Sequence, residues 1–349
     1  MRLIRGMTAL LALALLPAAA AAQELTGAGA TFPFPIYSKW FDAYARETGV
    51  RINYQSIGSG GGIRQIRERT VDFGATDGPM SDAELAEAPA PLIHIPTVMG
   101  AVAVVYNLSG RNAPVKLDGA TVSGIFLGTI ETWNDPKIAA LNPGTKLPAM
   151  PILVVHRSDG SGTTYVFSDY LSHVSPAWTA KVGRGKALSW PVGLGAKGNE
   201  GVAGQVRQMP GALGYVELAY AKQNRLPMAE IRNRAGRFVL PSIVGTTAAA
   251  RGAGATLGPD TDFRVSIVDA PGADAYPIAS FTWLLLYREQ PSRRKGGQLL
   301  DFLWWAIHEG QKYAAALDYA PLPAEVVRLI ENKLRTVTHG GEPLPIPGS

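Results

Sequence analysis

The sequence contains no cysteine. That excludes disulfides, thiol nucleophiles, cysteine-based zinc sites and the lipidated cysteine that would tether an exported bacterial protein to a membrane. At 349 residues the chain is long enough for two ordinary domains and for real cores without such staples. Charge is also scarce, with 17% charged residues and a formal net charge of +5. So small and scattered an excess does not suit nucleic acid, which needs a dense basic face. No internal repeat of roughly 20 to 50 residues is present. The five histidines, 94, 156, 173, 308 and 339, show no metal-ligand spacing and read as ordinary packed or exposed side chains. No loop carries the lysine of a phosphate-binding Walker sequence. Neither Ser59 nor Ser161 has the preceding glycine of a Gly-x-Ser-x-Gly elbow, although His156 and Asp159 flank the second of these serines. No cofactor is expected.

Hydrophobic residues make up 46% of the chain, the composition of a folded globular protein. Arg2 and Arg5 precede an apolar run that ends in alanines before Gln23, which predicts a signal peptide over residues 1–22, cleaved after Ala22. The run is shorter than the ~20 apolar residues of a membrane span. Removing it takes away two arginines and leaves a net charge of +3, 31 basic residues against 28 acidic. The Pro/Gly-rich C-terminal stretch from His339 reads as a loose tail.

Three stretches share one layout. After the Gly/Thr loop at Gly27–Thr31, Tyr37, Trp40, Phe41 and Tyr44 mark one face of a helix that Gly49 can stop. After the alternating strand at Ile52 and Tyr54, the loop Gly58–Gly62 leads into Ile63 and Ile66. After Val154 and Val155, the loop Arg157–Thr163 leads into Val166, Phe167, Tyr170, Leu171 and Val174. A helix start leaves backbone N–H groups without partners and carries about half a positive charge. Glycine lets a ligand approach, and Ser or Thr hydroxyls add donors, so such an end attracts an oxyanion. One such loop is usually only a turn; three in one chain, one of them with Arg157, point to anion binding.

Two features stand apart. Gly193–Gly198 matches Gly-x-Gly-x-x-Gly with Glu217 downstream, but Pro191 sits where the preceding strand should pair, which argues against a dinucleotide site. Asp77 precedes Gly78-Pro79 and the capping box Ser81…Glu84. On pattern alone it starts a turn; facing an anion it would be out of place.

Taken together, LTGAGATFP (25–33), SIGSGGG (56–62), VDFGATD (71–77), IFLGTIETWNDPKI (125–138), LNPGTKLP (141–148), RSDGSGTT (157–164), GLGAKGNEGV (193–202) and PGALGYVELAYAKQN (210–224) resemble the phosphate-binding proteins of bacterial ABC-type phosphate importers. The likeness runs from about Leu25 to about Leu322. It implies an α/β chain of the type II periplasmic binding protein fold, two α/β domains joined by a hinge with the ligand in the cleft. It puts domain I at 23–107 plus 275–349 and domain II at 108–274. Carried over by position, Thr31, Phe32, Ser59, Asp77, Arg157, Ser161, Gly162 and Thr163 would bind phosphate. Arg157 would be the direct charge pair, Asp77 the lone acceptor, and Asp159 the support of the arginine. The second loop departs from the family: it reads Ser59-Gly60-Gly61 where members often have another serine.

The resemblance also implies a periplasmic location, inorganic phosphate and the importer's permease subunits as partners, a monomer, no nucleic acid, no membrane insertion, no metal and no catalysis. A carboxylate facing the anion then has a chemical use, since phosphate near neutral pH still owns a proton and sulfate does not. A receptor for another tetrahedral oxyanion, of the sulfate or molybdate type, is the alternative in the same class. An exported phosphatase using Ser161 or Ser59, or an adhesion protein without a ligand, would be of another class.

Overall fold

The computed structural model describes residues 24–108, 114–253, 256–257 and 262–347. The expected signal peptide lies outside them. Among the described residues the central feature is an eight-stranded sheet. Its strands in chain order are β1 (Glu24–Gly29), β2 (Arg51–Ser56), β3 (Phe73–Thr76), β4 (Leu92–Tyr106), β5 (Leu153–Arg157), β6 (Leu194–Ala196), β7 (Ala212–Glu217) and β8 (Ala279–Tyr287). Across the sheet the order is β2-β1-β3-β8-β4-β7-β5-β6. The outer pairs run parallel and the central ones antiparallel.

β4 is apolar over most of its length because it is buried throughout, and it belongs to both halves of the sheet. Its residues up to Ala101 pair with β8, and from Val102 onward they pair with β7. The change of partner between Ala101 and Val102 is where the two halves join.

Parallel strands need crossovers, and helices supply them. α1 (Phe34–Thr48) follows β1, α2 (Ser59–Arg67) follows β2, α3 (Gly162–Val174) follows β5 and α4 (Gly198–Gln208) follows β6. The aromatic stripe expected on α1 is buried, and Gly49 ends the helix with φ 77°. Phe41 and Tyr44 pack against Phe302 at ring distances of 5.4 Å and 5.3 Å. In the other half Phe167 of α3 stacks on Tyr215 of β7 at 4.3 Å. Each half therefore has its own aromatic core, and every one of these helices starts at the carboxyl end of a strand.

The C-terminal stretch corrects the expectation of a loose tail. Thr338–His339 and Glu342–Pro343 form a small antiparallel hairpin, and Leu344 and Ile346 behind it are buried. The prolines suggested a tail, but the apolar residues between them alternate, and that alternation fills a groove beside Gly296 and Gln290. Replacing Leu344 with alanine should cost about 2–4 kcal/mol in urea unfolding, the usual penalty for truncating a packed leucine; an unchanged midpoint would show that the hairpin is only resting on the surface.

Candidate functional site

The four helix starts converge at the centre of the molecule. Those of α1, α2 and α4 have no side-chain cap, so their first N–H groups are not held by their own capping residues. The fourth loop is a correction to the sequence reading. The Gly193–Gly198 stretch, set aside because of Pro191, does form strand, turn and helix, but the strand begins three residues later than the proline. Sequence reasoning weighed it as a dinucleotide motif and as one of the stretches carrying the family resemblance, gave no residue in it a role, and so missed Asn199.

Every expected site residue is found here. Ser59, Asp77, Arg157, Ser161 and Thr163 are all within 3% of full burial, a notable density of polar side chains without water access. The Ser59 hydroxyl accepts from the N–H of Asp77 at 3.2 Å and from the N–H of Gly162 at 3.0 Å. A methyl group on Gly162 would lie 2.4 Å from that hydroxyl and 2.5 Å from Asp77, so only glycine permits the approach. Ser161 caps α3 by accepting from Thr164 N at 3.0 Å, which leaves its hydroxyl proton free to donate. Phe32 buries its ring, and its carbonyl accepts from Tyr319. Thr31 is held the same way by Tyr220.

Gly60 N donates to Gly160 O at 2.8 Å, and a Cβ on Gly60 would meet the Gly160 backbone at 3.1 Å. A serine at position 60 would require the Gly160 backbone to give by a few tenths of an ångström.

Arg157 is held by its neighbour Asp159 through two hydrogen bonds, Nε to Oδ1 at 2.7 Å and Nη2 to Oδ2 at 2.5 Å. Asp159 is itself fixed by Gly198 N at the start of α4. Although burial pushes the Asp159 carboxyl up, the arginine outweighs it and holds the acid below its ordinary range. Arg157 Nη1 reaches Thr163 Oγ1 at 3.4 Å, with further N–H groups left over.

Asp77 directly follows β3 and is not a surface turn residue. Its Oδ1 accepts from Thr282 of β8 at 2.8 Å and its Oδ2 faces the Ser59 hydroxyl at 3.4 Å. Thr282 was not legible in sequence, since it sits within a mostly apolar strand. Burial pushes the Asp77 carboxyl up to about 7, against the opposing influence of Thr282, Arg157 and Ser59. A cavity of about 160 Å³ between Tyr165, Arg184 and Arg264 reaches its far side.

Two cations span the same region. Lys186 donates to Pro79 O at 2.9 Å and pairs with Glu84 at 3.0 Å, while its carbonyl accepts from Ser161 N. Arg264 pairs with Asp82 at 2.7 Å. Glu84 is also the capping-box partner of Ser81, as the sequence indicated. Among the described residues no cluster of His, Asp and Glu has the makings of a metal site, and no helix is long and apolar enough to cross a membrane.

The model of the PBP superfamily domain matches residues 17–309. The phosphate-binding protein PstS of Pasteurella multocida is 46% identical over 318 residues, covering 90% of this chain and 91% of its own. The PstS of Haemophilus influenzae is likewise 46% identical, covering 91% of this chain and 94% of its own. The chain belongs to the PstS phosphate-binding protein family. The archaeal PstS of Methanocaldococcus jannaschii shares 37% identity over 88% of this chain and 85% of its own. The fold is that of a high affinity periplasmic phosphate-binding protein, PfluDING, solved with phosphate at pH 8.5, with a TM-score of 0.74, 23% identity and 91% and 97% of the two chains covered. A phosphate-binding protein from Stenotrophomonas maltophilia superposes with a TM-score of 0.71 at 20% identity, covering 92% and 96%. The expected PstS-like α/β architecture is therefore the one found.

The raised Asp77 fixes a sign. Folding lifts this acid above its unfolded value near 4, so the folded state holds the proton more tightly. Its contribution to stability is complete below about pH 4 and declines as pH rises through about 7. In buffer without tetrahedral anions, Asp77→Asn should flatten the fall in melting temperature over that window; parallel curves for the two proteins would refute the shifted acid.

Proposed function

We propose that this chain is a periplasmic receptor that encloses one inorganic phosphate ion and delivers it to the permease subunits of an ABC-type phosphate importer. Residues 23–107 with 275–349 form one closing half and 108–274 the other. The observation that carries the reading is a buried carboxylate, Asp77, held by Ser59 and Thr282 of its own half at the point where Gly162 of the other half donates to the same Ser59 hydroxyl. Thr31, Phe32, Ser59, Ser161, Gly162 and Thr163 supply hydroxyl and backbone donors, Arg157 supplies the single positive charge, and Asp159 orients it. Asp77 accepts the proton that phosphate keeps.

Sulfate offers no such proton. Like charges about 4 Å apart repel by about 4 kcal/mol at an effective dielectric near 20, which corresponds to about a thousandfold in affinity. The family relationship supports phosphate, and the geometry gives a reason for the choice.

The role is carriage and not catalysis. The two candidate nucleophiles have no histidine in hydrogen-bond reach: Ser161 caps its own helix, Ser59 faces Asp77, and His156 stacks on Trp190 with its Nδ1 at the Arg157 carbonyl. The N-terminal signal pattern, if cleaved after Ala22, delivers the chain to the periplasm as a monomer without a lipid tether.

Calorimetry of the mature chain tests this directly. Phosphate should bind near one to one and resist excess sulfate, and Asp77→Asn should admit sulfate. Equal binding of both anions by the unaltered protein would return the choice to a general oxyanion receptor. Arg157→Ala should weaken phosphate binding by about 2–5 kcal/mol, because it also strands the Asp159 charge.

A further inference from the structure

Asn199 touches two of the hydroxyls assigned to the anion, and its own polarity is dictated from behind. Its Oδ1 accepts the backbone N–H of Glu217 at 2.9 Å. A backbone N–H can only donate, so the carboxamide oxygen must face Glu217 and the NH₂ must face the other way. The two hydrogens of that NH₂ go to Thr31 Oγ1 at 2.7 Å and to Thr163 Oγ1 at 3.1 Å.

A hydroxyl has two lone-pair directions and one proton. Thr31 Oγ1 accepts a second time from Asn199 N at 3.3 Å, and Thr163 Oγ1 accepts a second time from Arg157 Nη1 at 3.4 Å. Both oxygens are thus saturated as acceptors by groups that cannot reverse. Among the described residues neither hydroxyl donates to a protein atom, so each proton remains for whatever sits between the loops.

We propose that Asn199 is a positioning residue that commits the Thr31 and Thr163 hydroxyls to act as donors toward the bound anion, and that it does so for both halves of the receptor at once. The proposal rests on the phosphate-receptor reading above. Asn199 lies on α4 and Thr163 on α3, in one half, whereas Thr31 follows β1 in the other. The bonds from Asn199 to Thr31 therefore form only when the halves meet. In the closed molecule two rotatable hydroxyls that could each present an oxygen lone pair to an anion are barred from doing so. Asn199 itself is fully buried, which matches a part that acts through others.

A thermodynamic cycle measured by phosphate calorimetry tests the idea, with thermal melting in phosphate-free buffer as the check on folding. Asn199→Ala alone should weaken phosphate binding about tenfold to a hundredfold, the cost of a hydroxyl free to turn the wrong way. In a Thr31→Val, Thr163→Val background the same replacement should change affinity by less than about threefold, since nothing remains to orient. A purely structural Asn199 would give equal losses in both backgrounds, and that result overturns the proposal. If the alanine variant does not fold, the cycle is run with Asn199→Ser, which stays neutral and keeps a hydroxyl able to accept from Glu217 N–H. Its loss must likewise fall below about threefold without the hydroxyls, and an undiminished loss overturns the idea. Unaltered protein that binds no phosphate would instead sink the receptor reading and take this proposal with it. Binding by the unaltered protein with additive variants removes the proposal alone.

Discussion

A buried arginine cannot wait for its ligand unpaired. Removing a guanidinium from water costs several kcal/mol unless a counter-charge accompanies it, and in this structure Asp159 provides one through a two-pronged contact. The pair makes the site close to neutral before any anion arrives. Much of the remaining architecture follows from that. An anion entering a neutral site must be held by dipoles, and dipoles of sufficient density are found where helices begin. Hence four strands end at one place, each turning into a helix, and hence the glycines that let those turns crowd together.

Neutral dipoles hold an anion without distinguishing one tetrahedral ion from another. In the receptor proposed above, the distinction comes from Asp77, an acceptor set among these donors. Asp77 is buried enough for its ionised form to be costly, and Thr282 and Ser59 steady it without neutralising it. A more exposed carboxylate would be shielded by water and would repel nothing strongly. In that proposal, the burial that makes Asp77 expensive to ionise is also the source of its selectivity.

Much of this was legible in the chain. The stripe Tyr37, Trp40, Phe41 and Tyr44 has the spacing of one helical face and is buried as such. The Ser81…Glu84 pair has the spacing of a cap and is one. The three loops read as helix starts are helix starts, because glycine and hydroxyl residues before an apolar 3.6-residue period have few other uses. What could not be read depends on chain separation. Asn199 meets Thr31 across 168 residues, and Thr282 meets Asp77 across 205. No local pattern encodes such a meeting. The two misreadings have a common origin in proline: Pro191 appeared to deny a strand that simply starts later, and the prolines after Glu342 masked two buried side chains.

The shared strand has a consequence for the history of the molecule. β8 lies between β3 and β4, two neighbours made roughly 180 to 210 residues earlier, so the first half of the sheet keeps an open slot until Tyr287 has been synthesised. Pairings of such long reach form slowly, because much chain must be gathered before any contact is gained. During most of its emergence the first half of this polypeptide therefore lacks its central strand and cannot close its core.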